Sequence, residues 1–161
     1  MLMANHPDSP LPASRRHGFP GLPVAPYDPA YRFEVTLQPS ADAEFAAQAG
    51  TDGPVPFRRL GVVELPGLGS LDVWWVTVYG GGVFLPVRDT TSGHSSYGGG
   101  RYVLDTVKGA DLGGDAANGR LVVDLNYAYN PSCAYDEAWA CPLAPPGNVL
   151  SAAIPVGEQS R

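Results

Sequence analysis

Residues 71–89 read LDVWWVTVYGGGVFLPVRD, a pattern typical of two β-strands joined by a tight turn. The first half is dense in β-branched and aromatic residues, which are enriched in strands. The glycines at 80–82 predict the turn, and residues 83–89 predict the returning strand. Because Pro86 has no N–H to donate to a sheet, we expect this strand to lie at a sheet edge or to carry a bulge.

Strand signals continue on both sides of this hairpin. Alternating or continuous apolar residues predict further strands over residues 31–37, 57–65, 101–107, 120–125 and 149–154. Residues 40–50 are rich in alanine and end in glycine, which predicts one short helix or a loop. The expected fold class is therefore all-β, or β with one short helix, built as a single small barrel or sandwich of about seven strands with long loops.

The chain has the size of one domain, at 161 residues. Its 20 glycines and 17 prolines exceed average usage while the hydrophobic content stays normal at 44%, which favours many turns between short strands over disorder. Residues 1–21 are rich in proline and serine, and we predict an extended N-terminal arm there. Residues 22–161 are predicted to form a single β-rich domain.

Charge and hydropathy exclude several classes of partner. The formal net charge is −6 and the chain has no long basic stretch, so we expect no nucleic-acid partner. No apolar run approaches the roughly 20 residues that cross a bilayer, and the N-terminus lacks the charged and apolar regions of a signal peptide. We therefore expect no membrane partner and a cytoplasmic location.

One turn has the residues of an anion site. Residues 97–102 read YGGGRY, so glycines precede an arginine at the start of a strand. Glycines let backbone N–H groups approach a ligand closely, and a guanidinium can clamp a carboxylate or phosphate. Tyr97, Gly99 and Arg101 are therefore candidate ligand contacts. The alternative is a structural turn in which Arg101 pairs with an aspartate. The aspartates considered are Asp89, Asp105 and Asp124.

Two neighbouring segments add polar side chains to this candidate site. Residues 89–93 read DTTSG. Here Asp89, Thr90 and Ser92 either face a pocket, with Asp89 as a general base or a metal-facing carboxylate, or bond their own turn. Residues 126–135 read NYAYNPSCAY, whose amides and phenols suit either a buried loop backbone or a polar ligand. The candidates in the second segment are Asn126, Tyr127 and Asn130.

The two cysteines, Cys133 and Cys141, lack the short spacing of a zinc ribbon. Together with His94 they are weak candidates for a metal site, and no metal is predicted. Buried thiols are the favoured interpretation for an intracellular chain, and a disulfide formed under oxidation stays open as the alternative.

Several of these motifs, in this order, resemble one family. They include SPLP at 9–12, DTTSGHSSYGGGRY at 89–102, VDLNYAYNPSCAY at 123–135 and CPLAPPGN at 141–148. From about Ser9 to Glu158 the chain resembles the bacterial and archaeal domain of unknown function 1684. The resemblance implies a bacterial or archaeal source. It brings no activity, cofactor or site residue with it, because the family is uncharacterised.

Three functional hypotheses follow. The first is a pocket for a small polar or anionic molecule at one barrel end, lined by the candidate residues, with or without catalysis. The second is a non-enzymatic module that binds a protein or a second copy of the chain through the Pro86 strand or through whichever of Trp74 and Trp75 is exposed. The third is a small barrel that binds flavin or haem. The residues do not choose a cofactor or a reaction.

Overall fold

The computed structural model describes residues 2–41, 43–48 and 53–160. Two four-residue helices lie in the N-terminal segment, α1 (Leu2–Asn5) and α2 (Ala13–Arg16). Nine strands follow among the described residues. They are β1 (Arg32–Thr36), β2 (Gln38–Pro39), β3 (Glu44–Gln48), β4 (Pro54–Leu65), β5 (Gly69–Val76), β6 (Gly82–Val87), β7 (Arg101–Asp105), β8 (Gly114–Asp115) and β9 (Arg120–Asp124).

The strands form two antiparallel sheets. The larger sheet has six strands in the order β2-β4-β5-β6-β7, with β3 also paired to β4, and the smaller has three in the order β1-β9-β8. Neither order closes on itself, so the sheets are open and do not form a barrel. The expected all-β class is confirmed, and the two sheets pack on each other in the manner of a sandwich.

The main apolar core lies between the two sheets. Val35 of β1, Val123 of β9 and Val73 of β5 belong to one buried cluster there. Neighbouring residues of a strand point to opposite faces, so Trp74 leaves this core and joins an aromatic cluster on the other face of the larger sheet. The buried aromatic members of that cluster are Phe57, Trp74, Phe84 and Tyr102.

The predicted hairpin is present as β5 and β6, with Trp75 opposite Val83. The pairing of β6 with β7 shifts register between Leu85 and Pro86, so the bulge predicted at Pro86 is confirmed. The other predicted position, a sheet edge, is wrong because β6 lies between β5 and β7. The protein-binding hypothesis therefore loses the Pro86 strand as an exposed edge.

The segment predicted as a short helix or loop, residues 40–50, contains β3 instead, and positions 42, 49 and 50 lie outside the described residues. Phe45 of β3 stands opposite Phe57 of β4. Their rings stack with centroids 4.6 Å apart, and Phe45 also meets Trp74 edge-on. The prediction failed because this aromatic packing outweighs the weak helix preference of the alanines.

The prediction of a strand over residues 149–154 is also wrong. The chain there is bent at Ser151 and Ala152, and Val149 forms an isolated parallel bridge with Arg88. A backbone carbonyl of this segment bonds to a turn and not to a neighbouring strand, since Ala152 O accepts from the N–H of Thr90 at 3.2 Å. A segment that bonds to a turn in this way satisfies its backbone without joining a sheet.

Residues 1–21, predicted as an extended arm, include α1 and α2 among the described positions. Leu11, between the two helices, is 1% exposed, and its carbonyl accepts from Arg16 Nε at 2.8 Å. The arm therefore has local structure of its own, while the division of the chain at Gly21 stays a prediction. In the part of the chain that the structure describes, no helix is both long and apolar enough to cross a bilayer.

Candidate functional site

The guanidinium of Arg101, at the start of β7, is buried in the fold. Nη2 donates to Asp89 Oδ2 and to Ile154 O, both at 2.8 Å. Nη1 donates to the carbonyl oxygens of Val156 and Glu158 at 2.6 and 3.1 Å. Burial lowers the pKa of Arg101, and the charge of Asp89 opposes that shift. Of the aspartates considered from the sequence, Asp89 is the partner of Arg101, and the guanidinium points into the protein.

The Asp89 turn bonds largely to itself. Asp89 Oδ1 accepts from both the N–H and the hydroxyl of Thr91, and the N–H of Asp89 donates to Ser92 Oγ at 3.1 Å. The side chain of Thr90 is exposed. Asp89 and Ser92 thus hold the conformation of the turn, as expected when short polar side chains bond nearby backbone groups.

Asn126 and Tyr127 lie at a different junction. Asn126 Nδ2 donates to Asp28 O and to Asp124 Oδ1, both at 2.8 Å, while Asn126 Oδ1 accepts from the N–H of Asp28 at 2.8 Å. Tyr127 is 59% exposed, and its ring meets Tyr27 edge-on at 6.5 Å. The Asn126 amide therefore secures the loop that follows β9 to the segment that precedes β1.

A polar cavity of about 240 Å³ brings two of the sequence candidates, Tyr97 and Asn130, to one wall. We call it the Glu158 cavity. The N-terminal segment contributes Arg15, the loop after β9 contributes Tyr135, and the C-terminal tail contributes Glu158. These three residues were not among the ligand contacts predicted from the sequence. A single acidic residue in the apolar tail IPVGEQ, at 154–159, was the one signal for Glu158.

Glu158 is a buried carboxylate on the wall of this cavity, with 3% of its surface exposed. Oε2 accepts from the N–H of Asn130 at 2.9 Å, and Oε1 accepts from the Tyr135 hydroxyl. Burial raises the pKa of Glu158, and the hydrogen bonds from Asn130 and Tyr135 together with the charge of the nearby Arg101 oppose that shift. Among the described residues, no lysine, arginine or histidine side chain forms an ion pair with this carboxylate.

Asn130 supplies a second unusual polar group. The residue is 8% exposed, and its Oδ1 has no hydrogen-bond partner among the described residues. Buried acceptors are nearly always paired, so an unpaired one calls for a specific explanation. Within the part of the chain that the structure describes, Glu158 and Asn130 therefore place side by side a carboxylate that has no ion-pair partner and an amide oxygen that accepts no hydrogen bond.

The cavity wall also carries a phenol, that of Tyr97, bonded to a thiol. Tyr97 OH donates to Cys133 Sγ at 3.6 Å, and this bond together with burial raises the pKa of Tyr97 to about 12. Gly99 lies against the Tyr97 ring, and a Cβ at this position would collide with it. Gly99 thus makes room for the aromatic wall, which is a role different from the predicted anion contact.

Cys133 and Cys141 are free thiols that meet in the structure. The N–H of Cys133 donates to Cys141 Sγ at 3.2 Å. His94 is exposed, and within residues 2–41, 43–48 and 53–160 no three His, Cys, Asp or Glu side chains gather in a way that could hold a metal. The structure therefore brings the two cysteines together without His94.

A second cavity of about 380 Å³ opens between the two sheets. Its wall is mostly apolar and combines Leu37, Leu60 and Val83 with side chains from β5, β7 and β9. Asp111 and Arg120 lie at its polar part. None of the residues predicted as ligand contacts lines this cavity.

Comparison with known proteins agrees with the fold and the sequence motifs. The solution NMR structure of an uncharacterised protein from Haloarcula marismortui is similar to this chain, with 30% identity and a TM-score of 0.71. The similarity covers 99% of this chain and 86% of that one. No curated protein matches the sequence. The family described as "Protein of unknown function (DUF1684)" matches residues 17–159, nearly the whole length, as its motifs predicted. The chain therefore belongs to the DUF1684 family.

Proposed function

We propose that this protein binds a small polar molecule in the Glu158 cavity, and that the ligand carries a protonated amine that contacts Glu158. The observation that carries the proposal is the buried Glu158 carboxylate, which has phenol and amide donors but no ion pair with a cationic side chain among the described residues. Buried charges in proteins are normally paired, or else they are neutralised by a change in pKa. An ammonium group on the ligand would supply that pairing.

Asn130 and Arg15 offer hydrogen-bonding groups for the other polar atoms of the ligand. The unpaired Asn130 Oδ1 is an acceptor for a further N–H or O–H once the amide turns toward the cavity. Arg15 donates one N–H to Tyr135 O at 3.2 Å and keeps other donors for an anionic or carbonyl group. A molecule with an amine at one end and an acceptor at the other therefore matches the Glu158 carboxylate and the Arg15 donors of the cavity wall.

Size narrows the class of ligand. The cavity volume of about 240 Å³ is smaller than the range of roughly 300–1,000 Å³ found for drug-sized ligands. An amino acid or an amino alcohol fits this description better than a nucleotide. This replaces the anion expected at Arg101, whose donors are taken by Asp89 and backbone carbonyls.

Native mass spectrometry of protein purified without denaturation tests the proposal. We expect a small molecule to be retained by the wild type and by Glu64→Gln, which removes an exposed carboxylate outside the cavity. Glu158→Gln should lose it while keeping the same melting transition within a few degrees. Retention of the same adduct by Glu158→Gln would show that this carboxylate does not hold the ligand.

The cavity between the sheets supports a second candidate function, the binding of an apolar molecule. Its volume of about 380 Å³ and its wall of aliphatic side chains are the favouring observation. Val83→Phe would fill this space and leave the Glu158 cavity unchanged. If Val83→Phe loses a bound molecule that Glu158→Gln retains, the binding site is the cavity between the sheets and not the Glu158 cavity.

The two remaining hypotheses have direct readouts. Binding of flavin or haem predicts visible absorption from the purified protein. Trp74 is buried and Trp75 is half-buried, so self-association would use another aromatic side chain such as Trp139, which is 41% exposed. Self-association predicts a concentration-dependent mass in light scattering. No feature of the described residues favours either of them over the Glu158 cavity.

A further inference from the structure

Cys133 and Cys141 lie at the two ends of one loop and meet as a pair. Cys133 lies in the 3₁₀ turn Ser132–Ala134, and Cys141 follows the loop that this turn begins. The N–H of Cys133 donates to Cys141 Sγ at 3.2 Å, and both residues are free thiols of intermediate exposure. Two thiols this close, both partly open to solvent, can be oxidised to a disulfide without a large change of the backbone.

The pair is connected to the Glu158 cavity on two sides. Tyr97, which lines the cavity, donates its hydroxyl to Cys133 Sγ at 3.6 Å. Tyr135 belongs to the loop between the two cysteines, and its hydroxyl donates to Glu158. A change at the sulfur atoms therefore reaches both aromatic residues of the cavity wall.

We propose that Cys133 and Cys141 form a peroxide-sensitive dithiol that closes to an intrachain disulfide, and that its closure repositions the Tyr97 and Tyr135 walls of the Glu158 cavity. The formation of the disulfide is independent of the proposed function. The consequence for ligand binding rests on that function.

The reaction balances with hydrogen peroxide as the oxidant. One thiol attacks the peroxide, which breaks the O–O bond and gives a sulfenic acid and one water. The second thiol then attacks the sulfenic sulfur, forming the S–S bond and releasing a second water. Peroxide is reduced to two waters, and the two thiols lose two hydrogens.

Burial assigns an order to these steps. Burial raises the pKa of Cys141 to about 11, so its thiolate is scarce at neutral pH. Geometry favours the same order, because the Tyr97 hydroxyl already donates to Cys133 Sγ and so places a hydrogen-bond donor on the attacking sulfur. We therefore assign Cys133 to the reaction with peroxide and Cys141 to the resolution of the sulfenic acid. Once the disulfide forms, Tyr97 no longer has a thiol as its hydrogen-bond partner.

Peroxide titration of the full chain tests the dithiol. We expect wild type to lose both thiols together, with an intact mass lower by two hydrogens and a monomeric band on a non-reducing gel. In Cys141→Ser the sulfenic acid of Cys133 should persist and react with dimedone. In Cys133→Ser the remaining thiol should survive the same dose. Stepwise over-oxidation of Cys133 with Cys141 still free, or a disulfide between two chains, overturns the proposal.

The coupling to the cavity is tested without any ligand. Amide NMR of the reduced and oxidised wild type should show a shift at Asn130, whose N–H bonds to Glu158, and little change at Asn148 in the core. Wild type treated with peroxide and then dithiothreitol should return to the first spectrum. An intrachain disulfide that leaves the Asn130 signal in place refutes the coupling and leaves the ligand site itself untouched.

Discussion

Arg101 and Asp89 form an ion pair that is closed to solvent. The distance from Nη2 to Oδ2 is 2.8 Å, and each side chain is 1% exposed. The pair joins the start of β7 to the turn after β6, and the same guanidinium binds carbonyls of the C-terminal tail that carries Glu158. The glycine-rich turn thus holds the tail in place, and the ligand site lies on the tail.

Breaking this pair should strongly destabilise the protein. We expect Arg101→Met to reduce the free energy of unfolding by about 3–5 kcal/mol, because Asp89 and the tail carbonyls would stay buried without their donor. Arg32→Ala, which breaks an exposed pair with Glu34, should cost at most about 1 kcal/mol. Urea denaturation of both variants is the measurement, and equal losses would mean that the buried pair has no special weight.

Asn148 should be a second position of high sensitivity. It is fully buried, its Oδ1 accepts from Trp74 Nε1 at 2.8 Å, and its Nδ2 donates to the carbonyls of Asp72 and Pro86. Asn148→Ala leaves these buried groups unpaired, at about 1–3 kcal/mol each. The exposed Asn118→Ala is the control for urea denaturation, and a loss no larger than that of the control would refute this role.

Alanine substitutions at two glycines should distinguish the cost of backbone strain from the cost of a steric collision. Gly100 has φ +92°, and a Cβ there would lie 2.6 Å from Val87 O, whereas Gly67 has φ +80° with no atom near its Cβ position. Gly67→Ala should cost about 1–2 kcal/mol from the left-handed conformation alone. Gly100→Ala should cost clearly more, because Val87 is strand backbone that cannot move aside. Thermal unfolding that ranks Gly67→Ala as the worse variant would contradict the packing of this turn.

Stability should depend on pH through Glu158. Its folded pKa is raised above the ordinary value of 4.5, so the folded protein holds a proton that the unfolded chain releases. Stability must then fall as pH rises from 4.5 to the folded pKa, by at most about 1.4 kcal/mol per pH unit. Glu158→Gln should lack this decline, while Asp105, whose pKa burial also raises, contributes equally to both proteins. Parallel pH curves for the two proteins would contradict the assignment.

Much of the fold follows from the sequence because strands with strong alternation pack where their pattern indicates. β1, β7 and β9 lie within the predicted segments, β5 begins two residues before its predicted start at Leu71, and the Pro86 bulge follows from the missing N–H. β3 was missed because the partner that makes it a strand, Phe57, lies outside its own sequence window. The tail after Val149 was misassigned for a similar reason, since its carbonyls bind a distant guanidinium.

The candidate site depends even more on contacts between residues that are distant in the sequence, which a sequence pattern does not predict. Tyr97 and Asn130 were predicted because tyrosines and amides in turns are common in pockets, and both line the Glu158 cavity. Arg101 had the right chemistry for a ligand, but its donors are consumed by Asp89 and the tail. Glu158 has no motif around it. Its importance comes from burial next to Asn130, which only the folded chain creates.

Amide NMR titration is the most direct test of binding at Glu158. The probes are ethanolamine and glycine, which carry an amine, and acetate, which does not. We predict that both amine probes shift the Asn130 amide to saturation and that acetate leaves it in place. Glu158→Gln should weaken amine binding by about 10-fold or more, as expected for loss of a charged hydrogen-bond partner, and Glu64→Gln should match wild type. An Asn130 amide that does not respond to either amine, or equal affinities in Glu158→Gln and wild type, would contradict the account.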